Sequence, residues 1–254
     1  MICPKCNFEQ PDGMPECARC GVIFAKFKPP ADRGGCPEET RLPPAAVPTS
    51  SRGLHFRMWE LLTATEPGEP SAFTVGRGVL LAFLLVWGCR FIIASISSGY
   101  AAATPLHLVH LPFHEAGHIL FGVLGIRFLA VLGGTLGQLI IPVIIICAFI
   151  VRRNPFGGAV GLWWLGQSFM DVAIYANDAR SGQLMLIGGV TGSEVEDYHD
   201  WEIMLGKLGW LTYDHLIARL FYAFGALLIL FALMWGGILV WRQLQLLIAE
   251  RTQR

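Results

Sequence analysis

Five stretches of about 20 residues or more carry almost no charge, and they constrain this chain more than any other feature. They are 79–98, 106–126, 128–151, 157–176 and 216–241, and their only charged residues are Arg90, Glu115, Asp171 and Arg219. At about 1.5 Å of rise per residue, a helix needs about 20 residues to cross a hydrocarbon core about 30 Å thick. The expected fold is therefore mainly α, a polytopic membrane bundle of about five spans. A mean hydropathy of +0.51 and a charged content of only 15% agree with that class. The formal net charge is zero, so nothing electrostatic favours nucleic acid as a partner. A lipid bilayer is the partner the composition requires.

The first 28 residues differ from the rest. Cys3, Cys6, Cys17 and Cys20 form two Cys-x-x-Cys knuckles, the spacing of a tetrahedral zinc site rather than of a disulfide framework. The few apolar residues around them cannot build a core, so the metal must supply most of the folding free energy of this zinc ribbon. Its role is open between a structural docking knob and a site for a protein partner. Thiolate ligands fit a reducing compartment, which places the ribbon in the cytoplasm; "CARCGVIFAKF" resembles the second knuckle of small bacterial zinc ribbons, which implies a bacterial inner membrane for the chain. Arg52, Arg57 and Arg77 then fall inside, as the positive-inside tendency favours, whereas Arg152 and Arg153 fall outside. No cleavable signal peptide is expected. A proline-rich tether follows the ribbon, and 52–62 reads as either an interfacial helix or a loop. Residues 29–76 are thus a linker, and 77–254 form the membrane domain.

The chemistry is concentrated in the second span, in "LPFHEAGHILFG". His114 and His118 are four apart and share a helix face, so both imidazoles can reach one metal ion. Glu115 lies beside them, placed as the general base that takes a proton from an attacking water. Ionisable residues at membrane depth are costly and are functional candidates by default. Two ligands rarely suffice. Counted from the starts of their spans, His118 lies about 18 Å deep and Asp171 about 21 Å, so Asp171 is the expected third ligand. The competing reading pairs Asp171 with Arg90. Asp178, at about 32 Å by the same count, and His199 are reserve ligands, although Asp178 also suits a surface ion pair with Arg180. Asp214 reads as the N-cap of the last span.

In "GGTLGQ", Gln138 and Thr135 could support a substrate backbone or a developing oxyanion, or the glycines could simply let helices pack closely. His107 and His110 precede Pro112, which is expected to kink the helix and open a water path, unless both histidines sit at the interface.

"FHEAGH", "GGTLGQ" and Asp171 on successive spans resemble the site-2 protease family of intramembrane zinc metalloproteases. The resemblance covers roughly 105–176. It implies His114, His118 and Asp171 as zinc ligands, Glu115 as general base and membrane-anchored proteins as substrates. Gln138 stands where that family's Gly-Pro-x-x-Asn stretch has its asparagine. The chain departs from the pattern in "FMDVA", where no glycine follows Asp171, and in having no PDZ-like or CBS-like module. A membrane zinc protein without protease activity (a sensor, transporter or scaffold) is the alternative.

Overall fold

The computed structural model describes residues 1–3, 8–26, 54–65 and 70–252. It divides into two compact units, Met1–Ser51 and Arg52–Arg254. Cys6 and most of the proline-rich tether lie outside the described residues.

In the first unit two short antiparallel bridges pair Ile2 with Glu9 and Glu16 with Ile23. Gln10 ties them together: its Nε2 donates to Glu16 O and its Oε1 accepts from Ala18 N. Cys3 and Cys17 are buried at the centre, and Gly21 takes the left-handed conformation (φ +66°) that closes the second knuckle.

The second unit is helical: α1 Leu54–Leu62, α2 Ser71–Ile93, α3 Pro105–Gly122, α4 Arg127–Val151, α5 Pro155–Asn177, α6 Asp200–Leu208 and α7 Asp214–Thr252. Three helical segments among the described residues, Ser71–Ile93, Arg127–Val151 and Leu211–Thr252, are long and apolar enough to cross a membrane. The expected second and fourth spans form helices that do not meet that standard. Histidines and Glu115 dilute α3, and Gln167, Ser168 and Asp171 dilute α5.

Helix α5 is the hub. Sixteen of its 23 residues are buried, among them Gln167, Ser168 and Asp171, whereas Ile93, Val123 and Val151 on other elements are more than 80% exposed. Polar groups inside and aliphatic groups outside invert the water-soluble pattern and match a hydrocarbon surrounding. Of the expected segment 52–62, the described part, Leu54–Leu62, is helical (α1), and Trp235 Nε1 donates to Leu62 O at 2.8 Å.

Two crossings rest on glycine. A methyl group at Gly117 would lie 2.0 Å from Gly133 O, and one at Gly137 would lie 2.3 Å from Phe113 O. Helices α3 and α4 therefore meet backbone to backbone, as small-xxx-small packing allows. Gly166 of α5 and Gly225 of α7 make the same contact, each facing the other's carbonyl. Helix α3 starts with Pro105 in its first turn and runs on through Pro112.

Candidate metal centre

The α3–α4 contact sets the site. With Gly117 pressed on α4, His114, three residues before it, and His118, the residue after it, face Gly134. A methyl group at Gly134 would lie 2.5 Å from the Nε2 atom of both rings. The ligand atoms of His114, Glu115 and His118 lie within 4.8 Å of one another, a grouping able to hold a metal ion. His114 is buried, His118 half-buried and Glu115 exposed, and Glu115 accepts no hydrogen bond from the described residues.

The tautomer of His118 follows from its partner. Its Nδ1 lies 2.8 Å from the carbonyl of Ala130, which can only accept, so Nδ1 carries the hydrogen. In the neutral ring Nε2 then presents a bare lone pair, the state a metal ligand needs, held in place by a backbone carbonyl.

A carboxylate faces that lone pair. Asp200 Oδ2 lies 2.9 Å from His114 Nε2 and 3.2 Å from His118 Nε2. It comes from the first residue of α6, where His199 is the N-cap, accepting from Glu202 N through Nδ1. Asp200 N in turn donates to the Tyr175 hydroxyl of α5 at 3.1 Å. Burial acts to raise the Asp200 carboxyl, but the hydrogen bonds and charge of His114 and His118 outweigh it and hold the group below the usual carboxylate range. Burial pushes the His199 imidazole down, toward its neutral form. A lone pair and a carboxylate oxygen this close repel unless they share a cation, either a proton or a metal ion.

Asp171 is not that carboxylate. It lies in a separate buried cluster, where Oδ1 is 2.9 Å from His107 Nδ1 and Oδ2 accepts from Gln138 Nε2 at 2.8 Å and faces His110 Nδ1 at 3.3 Å. Trp164 Nε1 donates to His110 Nε2 at 2.8 Å, which puts the hydrogen of the neutral ring on Nδ1, toward Asp171. The depth count fails because α3 and α5 do not start level. His110 is the sixth residue of α3 and Asp171 the seventeenth of α5. That is an offset of roughly 16 Å at about 1.5 Å per residue. The segment between α2 and α3, with buried Ala101 and Thr104, folds back into the bundle and starts α3 deep. Arg90, the alternative partner, lies over the Tyr100 ring instead.

The other expected roles also move. Gln138 is committed to Asp171, and Thr135 is buried with no partner for its hydroxyl among the described residues. Asp178 organises the loop before α6, accepting from Ser181 Oγ, Gln183 N and Leu184 N. Arg180 pairs with Asp214 at 2.8 Å rather than with Asp178, and Asp214 is the first residue of α7. His199 packs on Tyr175 with ring centroids 4.3 Å apart. Asp200 and Tyr175 are the site residues that the sequence reading missed. The available signal was "YHDW", in which Asp200 directly follows the reserve ligand His199.

In the first unit, Cys3, Cys17 and Cys20 form a second grouping able to hold a metal ion, with Cys3 Sγ 3.8 Å from Cys20 Sγ. Burial acts to raise the Cys17 thiol, but the Cys20 and Arg19 backbone amides and the neighbouring thiols bring it to about 6. A scan against protein-family models finds none that matches the chain, and searches of curated proteins and of solved structures find none similar to it.

Proposed function

We propose that the helical unit is a membrane-embedded zinc peptidase of the site-2 protease type, cleaving membrane-anchored proteins. In this reading His114, His118 and Asp200 hold zinc and Glu115 is the general base. The observation that carries it is the His118 lone pair facing Asp200 Oδ2 across 3.2 Å, beside an uncommitted glutamate. Tetrahedral zinc with bonds of about 2.0–2.1 Å sets neighbouring ligand atoms about 3.3 Å apart, close to the spacing of this set. The space that a methyl at Gly134 would fill is where the two Nε2 atoms converge. Zinc held there supplies Lewis acidity and brings the pKa of water to about 7. Glu115 receives the proton of the attacking water and returns it to the departing amine. His118 is kept in its ligating tautomer by Ala130, and Asp200 balances charge.

Five crossings remain the preferred topology, with α5 enclosed by its neighbours and α3 set against α4, its Leu108, Ile119 and Leu120 facing outward. A substrate helix would unwind locally, its freed amides finding polar partners inside the bundle. The N-terminal unit is a zinc ribbon in this reading: Zn–S bonds of about 2.3 Å place sulfurs about 3.8 Å apart, as Cys3 and Cys20 are. Cys6 supplies the fourth thiolate, and the ribbon docks a protein partner on the cytoplasmic side of a bacterial inner membrane.

A second reading has its own support. His107 and His110 with Asp171, then His114 and His118 with Asp200, set two imidazole–carboxylate clusters along α3, as a metal-conducting path would need. Glu115→Gln separates the two. A peptidase variant keeps its zinc and loses cleavage of a co-expressed single-span reporter, whereas a transporter still moves zinc into proteoliposomes. Unchanged cleavage in Glu115→Gln refutes the peptidase reading.

A further inference from the structure

Tyr175 lies four residues after Asp171, so it points from the same face of α5 as that buried cluster, one turn further on. Its ring packs between His199, at 4.3 Å, and the edge of His114, at 6.0 Å. The hydroxyl oxygen already accepts from Asp200 N, and among the described residues no acceptor takes the hydroxyl hydrogen. This is an unused donor on a ring clamped between two imidazoles, one amide away from the carboxylate that faces the histidine pair. A hydroxyl that accepts a hydrogen bond becomes a better donor, because bonds in a chain polarise one another. Gln138 and Thr135, the donors expected from sequence, do not compete for this role, since Gln138 is tied to Asp171 and Thr135 is sealed in the packing.

We propose that Tyr175 is the oxyanion donor of this site, an inference that rests on the peptidase reading above. As water adds to the scissile carbonyl, a C–O bond forms, Glu115 takes one water proton, and the carbonyl π pair moves onto oxygen. That oxyanion accepts a hydrogen bond from the Tyr175 hydroxyl, with no proton transferred. Collapse restores the carbonyl and breaks the C–N bond, and the leaving nitrogen takes the proton back from Glu115.

The test compares full-length wild type, Tyr175→Phe and Glu115→Gln in detergent. Three quantities are measured: zinc per chain, affinity for an N-phosphorylated leucyl dipeptide as a tetrahedral mimic, and reporter cleavage. Tyr175→Phe is expected to keep its zinc, bind the phosphoramidate about 10²-fold more weakly, and lose about 10²- to 10³-fold in kcat with little change in KM. Phosphoramidate affinity within about threefold of wild type overturns the proposal, as does a wild type that holds zinc and fails to bind the mimic. Loss of zinc in Tyr175→Phe overturns it too, making the tyrosine only a support for Asp200. If Glu115→Gln cleaves normally, the peptidase reading itself falls. If Glu115→Gln is dead while Tyr175→Phe is unimpaired, only the tyrosine's role falls.

Discussion

Gly134→Ala is the sharpest perturbation the structure offers. The added methyl would lie 2.5 Å from Nε2 of His114 and of His118, where ordinary contact begins at 3.4 Å. Both ring ends must then retreat by about 0.9 Å, whereas ligand distances tolerate only about 0.2 Å. The atoms struck are the tips of side chains that can swing, so the helices stay in place and the ligand geometry is lost. The expected outcome is a folded protein holding one zinc fewer per chain, with reporter cleavage down by at least about 10²-fold. Zinc analysis of purified protein, with a thermal midpoint within a few degrees of wild type, checks it. Gly122→Ala is the control, because its methyl meets only Ala130 Cβ, at 3.9 Å. If Gly134→Ala keeps its full zinc complement and its activity, the ion does not sit between those rings and the site has been assigned wrongly.

Asp200→Asn and Asp171→Asn should separate ligand from scaffold. The first removes the charge facing His114 and His118 and should release one zinc at little cost in stability. The second leaves zinc bound but breaks a buried cluster, costing about 2–3 kcal/mol, read as a lowered denaturation midpoint in detergent. Cys17→Ser should remove a different zinc equivalent and make 1–26 sensitive to protease. The midpoint of Arg52–Arg254 should not move, since the two units are separately compact; a fall in that midpoint would contradict this.

The helices were readable because lipid-facing segments are written in one dimension, as uninterrupted apolar length. Expected 128–151 and 157–176 became Arg127–Val151 and Pro155–Asn177. The ends drifted where polar residues continue a helix, as in "RQLQLLIAERT", which carries α7 to Thr252. The His114–His118 pair with Glu115 was legible for a similar reason, being fixed by helical spacing alone. The second carboxylate facing the pair was not. Asp200 reaches the pair through a 178–199 loop with no periodicity, and the level of α3 depends on how 94–104 folds back into the bundle. Sequence distance along a span cannot report such an offset. His107 and His110, expected either beside a water path or at the interface, instead satisfy Asp171 for that same reason.

The order of parts along the chain also fixes when the centre can come into being. Both imidazoles, the glutamate and the glycine surface against them are complete once α4 has been made, but their counter-charge sits on α6, about fifty residues later. On the peptidase reading, a nascent chain with α3 and α4 already inserted would carry half of the proposed centre, unable to balance a dication. Competence would then arrive only when the connection after α5 folds inward, so that biosynthesis itself would delay the proposed chemistry until nearly the whole bundle is assembled.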